Sequence, residues 1–232
     1  MLRLSLLFIL AAFISCSAPK EQQALRELPS VKYFAKEIND FDSLNKVQTD
    51  PANAILFTGS SSIKLWGTIK EDMAPYPVIQ RGFGGSKLED LAYYLQRIVY
   101  PHEFRAIAIF CGTNNITGVG RELPEDSIML WVSNIDLQIR HKYPRTPIFW
   151  IAVTPVPSRA GVLDKVLAHN DRMKSYCASN KNTYFINTLP AYLDKDGKAI
   201  PAYFIGDMLH QNHQGYKVWA EVIKKELDFH LK

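Results

Sequence analysis

A serine, an aspartate and a histidine stand where they could form a hydrolytic triad. Ser61 follows the apolar run 54–58 after Gly59 and Ser60, and Asp207 and His210 are three residues apart near the C-terminus. At that spacing two side chains can face the same way on one helical turn. The carboxylate could then hold the imidazole in one tautomer while the other ring nitrogen takes a proton from a hydroxyl. These residue types predict acyl transfer through a serine nucleophile.

Two further positions could stabilise the negative charge of such a reaction. Gly85 lies in the glycine-rich segment 82–86, just before a predicted helix, where bare backbone can approach a ligand closely. Asn114 follows the apolar run 106–111, and its amide could donate to an oxyanion. Each motif alone also fits a purely structural role, since serines cap helices and asparagine forms Asx-turns.

The elements that must position these residues can be read from the pattern of apolar runs. The runs are short and continuously apolar, which is typical of strands buried on both faces; they are 54–58, 77–80, 106–111, 148–153 and 183–186. Stretches with helical spacing separate them, and an additional helix is predicted over 31–44. Five strands alternating with helices predict a three-layer αβα sandwich around a five-stranded parallel sheet. In such sheets ligands bind at the carboxyl ends of the strands, where Ser61, Gly85 and Asn114 all fall.

With these residues in place, the chain resembles the GDSL-type (SGNH) ester hydrolases, from about residue 31 to the C-terminus. Four blocks match in the family's order: Gly59-Ser60-Ser61, Gly85, Asn114, and the closing Asp207 and His210. The resemblance implies a flavodoxin-like fold and a triad of Ser61, His210 and Asp207. It also implies an oxyanion hole formed by Ser61, Gly85 and Asn114, and a reaction that needs no cofactor or metal.

Two positions depart from the family's pattern. Ser60 stands where the family usually has an aspartate, and Asn115 replaces the aspartate of the usual third block. Neither departure removes a residue with a catalytic role in the family. The expected substrates are exported or cell-envelope esters, with short, acetyl-like acyl groups on carbohydrate. A lysophospholipase-like lipid esterase and a non-catalytic, glycan-binding surface lipoprotein are the alternatives.

The other histidines and the cysteines allow further interpretations. His-x-x-His spacing would permit a metal site of Asp207, His210 and His213, which would leave the earlier blocks unexplained. Cys111 and Cys177 are predicted to be separate buried thiols, although an oxidising compartment would permit a disulfide.

Several remaining polar residues are assigned structural or surface positions. A capping box is predicted to begin at Ser86, a surface position at His169 and a structural amide at Asn170. Arg159 could either contact substrate or be a solvated loop residue.

The N-terminal segment is typical of an exported lipoprotein. Residues 1–15 combine a short positive start with an apolar stretch too short to span a bilayer comfortably. Cys16 follows in a lipobox-like context, which predicts cleavage before it and lipid attachment to its sulfur. Residues 16–30 are then a tether and 31–232 the hydrolase domain. Ser17 favours the outer membrane, so the predicted location is the cell envelope with membrane contact only through the lipid.

Composition limits the remaining classes of function. The chain has 232 residues, 47% of them hydrophobic, and a formal charge of +4 from 27 basic and 23 acidic residues. That length suits one α/β domain, and no basic run points to nucleic acid as a partner. The expected partner is therefore a small-molecule or glycan ester, and the oligomeric state is left open.

Overall fold

The computed structural model describes residues 29–120 and 122–232. They form an alternating series of strands and helices, in the order α1 (Pro29–Asn45), β1 (Ile55–Gly59), α2 (Ser61–Lys64), α3 (Ile69–Asp72), β2 (Val78–Gly82), α4 (Leu88–Ile98), β3 (Ala106–Phe110), α5 (Glu125–Lys142), β4 (Ile148–Ile151), α6 (Leu163–Ser179), β5 (Thr183–Ile186), α7 (Leu189–Tyr192) and α8 (His213–His230). Short 3₁₀ segments at Pro157–Val162 and Pro201–Tyr203 precede α6 and α8. In the described part of the chain, no helix is both long and apolar enough to cross a bilayer.

The five strands form one parallel sheet in the order β2-β1-β3-β4-β5. This is the doubly wound, flavodoxin-like order, in which the chain reverses its direction of winding between β1 and β3. In the register between them, Gly59 at the end of β1 is opposite Phe110 at the end of β3. The predicted three-layer fold is confirmed, and the reversal point is the expected place for a ligand site.

Helices cover both faces of the sheet because the strands bury side chains in both directions. On one face, residues such as Leu56 and Ile109 pack against α1, α4, α5 and α6. On the other, Phe57 and Phe110 pack against α2, α3 and α8. The second core is rich in aromatic rings, with Trp219 edge-on to both Trp66 and Phe110. Trp66 is fully buried, so it belongs to the core beneath Ser61.

The fourth strand is shorter than the sequence predicted. It ends at Ile151 rather than at residue 153, because a side chain replaces the sheet at that point. The Asn170 amide accepts a hydrogen bond from Val153 N–H at 2.8 Å and donates to Val153 C=O at 2.9 Å. Asn170 is therefore the structural amide that the sequence predicted, and it satisfies the backbone of Val153 in place of a neighbouring strand.

Three local predictions concern Cys111, Cys177 and His169. Cys111 and Cys177 are buried and unpaired, as predicted. His169 is not at the surface: it is 1% exposed, and its Nδ1 lies 2.8 Å from a carboxylate oxygen of Glu125. The imidazole is buried because the carboxylate satisfies its polar edge.

The predicted capping box of α4 is displaced by one residue. The N-cap is Lys87, whose backbone N–H donates to Asp90 Oδ2 at 3.0 Å. Ser86 does not cap the helix. Its hydroxyl instead donates to Gly59 C=O at 3.3 Å, which ties the loop after β2 to the end of β1.

Candidate active site

Ser61 lies at the turn from β1 into α2, at the carboxyl edge of the sheet. Gly59 has a φ of +127°, a conformation that only glycine adopts without strain. The next residue, Ser60, donates its N–H to Phe110 C=O at 3.0 Å, and Ser61 then begins α2. The turn therefore holds the Ser61 side chain at the point where the sheet reverses its winding.

The structure brings together the side chains of the three predicted triad residues. His210 Nε2 lies 3.0 Å from Ser61 Oγ, across 149 positions of sequence. On the other side of the ring, His210 Nδ1 lies 2.6 Å from Asp207 Oδ2. A hydroxyl, an imidazole and a carboxylate in this order form a relay in which the imidazole can take the hydroxyl proton while the carboxylate holds its orientation.

Asp207 and His210 lie on a tight turn, not on the helical turn that the sequence suggested. Met208 between them has a φ of +56°, outside the helical region. Asp207 Oδ1 accepts the backbone N–H groups of Leu209 and His210, both at 2.9 Å. The aspartate therefore folds its own loop with one oxygen and orients the imidazole with the other.

These contacts also decide the charge of the aspartate. Burial by itself raises the pKa of Asp207, but the His210 side chain and the N–H groups of His210 and Leu209 outweigh it and lower the pKa to about 2. The carboxylate is therefore ionised throughout the neutral range, as a partner that stabilises an imidazolium must be.

Of the two other predicted site residues, Asn114 shares a recess with the triad. The recess holds about 10 Å³ and is lined by Ser61, Asn114 and His210, among others. Asn114 Nδ2 donates to Ser86 C=O at 3.1 Å. An amide nitrogen carries two hydrogens, so one N–H of Asn114 is left for a ligand.

Gly85 lies in the adjacent loop and is not among the residues that line the recess. Its φ is +83°, and no heavy atom lies within 4 Å of the position where a Cβ would be. The neighbouring Ser86 is bonded to Gly59, so this loop is held against the Ser61 turn.

Arg159 is the residue whose role the sequence left open. It lies in the 3₁₀ segment after β4 and is half-buried. Nη1 donates to Thr113 C=O at 2.5 Å, and Nη2 lies 3.5 Å from Asn114 Oδ1. A positive group beside Oδ1 favours the amide orientation in which Nδ2 is available as a donor. No spacing rule signalled this contact, because it forms between two loops.

The alternative metal site is not formed. Among residues 29–120 and 122–232, no group of three or more histidine, cysteine, aspartate or glutamate side chains is placed to hold a metal ion. His213 is the first residue of α8, whereas His210 faces Ser61 and Asp207.

Comparisons with known proteins agree with this fold. No protein-family model matches the chain, and no curated protein matches it in sequence. Among solved structures, a Streptococcus pneumoniae protein provisionally named platelet activating factor has a TM-score of 0.76 at 21% identity, covering 88% of this chain and 98% of its own. A Bacteroides fragilis protein provisionally named acylhydrolase has a TM-score of 0.73 at 20% identity, with 84% and 97% covered.

A GDSL-like lipase from Bacteroides thetaiotaomicron is also similar in structure, with a slightly lower TM-score. Its TM-score is 0.70 at 19% identity, and the match covers 82% of this chain and 97% of that one. The chain therefore has the three-layer α/β fold of these solved structures over most of its length.

Proposed function

We propose that this protein is a serine ester hydrolase of the GDSL type. The observation that carries the proposal is the continuous contact from Ser61 Oγ through His210 to Asp207. Structural neighbours named acylhydrolase and GDSL-like lipase support it, because they share the fold on which this relay is built. The resemblance of the four sequence blocks supports it independently.

The geometry accommodates a two-step acyl transfer. His210 Nε2 takes the proton of Ser61 as Oγ attacks the ester carbonyl, and Asp207 stabilises the imidazolium. The developing oxyanion is received by the N–H groups of Ser61 and Gly85 and by the free amide N–H of Asn114. His210 then protonates the leaving alcohol, and water, activated by the same imidazole, releases the acyl group.

The substrate is an ester of a short acyl group, acetyl-like in size, on a carbohydrate of the cell envelope. The narrowness of the recess, which has about 10 Å³ of free space beside Ser61, supports a short acyl group over a long one. The lysophospholipase-like alternative requires room for a long acyl chain, which this recess alone does not offer.

A series of p-nitrophenyl esters from acetyl to palmitoyl tests both the activity and the acyl length. We expect kcat/KM to fall by at least about tenfold from acetyl to octanoyl, because added methylenes must displace packed side chains. Preference for long chains would favour the lipid esterase. Hydrolysis of none of the esters would favour the non-catalytic, glycan-binding lipoprotein.

The location of the protein is a separate proposal, which rests on the sequence alone. Residues 1–15 are the export signal, Cys16 carries the lipid, and residues 16–30 tether residues 31–232 to the outer membrane; Cys16 lies outside the described residues. Cells fed labelled palmitate should transfer the label to the wild-type protein and not to Cys16→Ser. Equal labelling of both proteins would refute the anchor.

A further inference from the structure

A second cavity opens beside the recess over Ser61. It holds about 380 Å³, which is within the range of roughly 300–1,000 Å³ typical of small-molecule sites. Thr113, Thr154 and Val156 line both spaces. A molecule whose ester group is at Ser61 can therefore extend into this cavity, which we call the Arg159 cleft.

The walls of the Arg159 cleft are mostly apolar, but its charged groups are all positive. Ile116, Leu163 and Val166 contribute aliphatic surface, while Arg159 and Lys198 are the charged residues among those that line it. No aspartate or glutamate is in the lining. An apolar cleft with two cations attracts a ligand that combines an apolar or ring-shaped body with negative charge.

The Arg159 guanidinium has no carboxylate partner in the described part of the chain. The ion pairs there do not include it, and its two close contacts are with the neutral oxygens of Thr113 and Asn114. Glu122 is the acidic residue whose charge acts on Arg159, but its Oε2 is paired with Lys165 Nζ at 2.8 Å. Burial lowers the pKa of Arg159. The guanidinium has thus lost hydration without gaining an anion, and three of its five N–H donors remain for a ligand.

We propose that the Arg159 cleft binds a negatively charged alcohol portion of the ester substrate, with Arg159 and Lys198 contacting its acidic group. The proposed function places a short acyl group in the small recess, and the larger cleft is then left for the alcohol. The proposal rests on the ester hydrolase function and narrows its substrate class to esters of acidic alcohols, of which a carboxylate-bearing alcohol is the simplest.

A pair of isosteric acetate esters tests the proposal. We expect wild-type kcat/KM to be about tenfold higher for meta-acetoxybenzoate than for neutral meta-acetoxybenzamide, because a charge-assisted bond to a half-buried guanidinium discriminates by about that factor. The ratio of the two kcat/KM values should fall toward one in about 0.5 M sodium chloride, because salt screens the attraction between these charges.

The variants are compared by the ratio between the two esters, because Arg159 also contacts Asn114. Arg159→Gln should lower the ratio to about two, the part that Lys198 still supplies, whereas a change that acts only through Asn114 would slow both esters equally. Lys198 is exposed, so Lys198→Gln should fold normally and lower the ratio by about twofold, as expected for a solvated charge. Arg145→Gln is the matched control: it removes one exposed positive charge at the opposite end of the sheet and should keep the wild-type ratio.

The outcomes separate this inference from the proposed function. Hydrolysis of both esters with a ratio near one in wild type, or a ratio unchanged in Arg159→Gln, would overturn the acidic-alcohol subsite and leave the esterase intact. A preference for a carboxylate placed on the acyl side, tested with the p-nitrophenyl monoester of succinate, would also overturn it. Hydrolysis of neither ester, together with no hydrolysis of p-nitrophenyl acetate, would refute the esterase itself.

Discussion

Ser61→Ala should lose at least about a thousandfold in kcat for p-nitrophenyl acetate, with little change in KM. The alanine lacks Oγ, the proposed nucleophile, which lies 3.0 Å from His210 Nε2 in the wild-type protein. The recess and its amide donors remain, so the residual rate should still exceed that of the uncatalysed reaction. The rate is measured by release of p-nitrophenolate under saturating ester.

Two further variants serve as controls for this test, one at the neighbouring Ser62 and one that also replaces His210. Ser62 also lines the recess, yet the side-chain hydrogen bonds of His210 are to Ser61 and Asp207, so Ser62→Ala should lose less than about tenfold in kcat. Adding His210→Ala to Ser61→Ala should cost little more, since the two residues act as a unit. A fluorophosphonate should label wild type on Ser61 and leave Ser61→Ala unlabelled. Equal hydrolysis by Ser61→Ala and wild type would rule out Ser61 as the nucleophile.

Gly59→Ala should lower the free energy of unfolding by at least about 3 kcal/mol. A Cβ at this position would lie 1.9 Å from the carbonyl oxygen of Phe110, and the φ of +127° is itself strained for alanine. The clash is with backbone, so no side-chain rotation relieves it. The strands β1 and β3 would have to separate, and the hydrogen bond from Ser60 to Phe110 would break with them.

Urea denaturation measures this loss, and Gly67→Ala is the control. Gly67 has no heavy atom within 4 Å of its Cβ position, so its replacement should change stability by less than about 1 kcal/mol. Because Gly59 precedes Ser61 by two residues and belongs to the same turn, Gly59→Ala should also reduce esterase activity in the fraction that stays folded. A destabilisation no larger than that of Gly67→Ala would show that the strands can adjust.

Three predictions that rested on short-range sequence rules differ from the structure. The spacing of Asp207 and His210 correctly placed their side chains on the same side, but the turn contains Met208 at positive φ instead of a helix. Ser86 fits a cap by sequence, yet Gly59 lies close enough to accept its hydroxyl. His169 was predicted at the surface, but it is buried beside Glu125, which lies 44 positions away in the sequence. For Ser86 and His169 a tertiary contact outweighed the local preference, whereas the turn at Asp207 is shaped by the hydrogen bonds of its own carboxylate.

The sequence by itself determined the alternation of strands and helices, because strands buried on both faces are continuously apolar and the helices between them are amphipathic. It also placed a serine, a glycine and an asparagine after successive strands. Only the tertiary structure decided that Ser61 and His210 meet, since that contact depends on how α8 packs across the sheet. The Arg159 cleft was likewise decided there, because its walls come from the loops after β3 and β4, from the first turn of α6 and from the segment around Lys198. Such loops carry no periodic pattern, and their shape follows from the packing of the strands and helices that hold their ends.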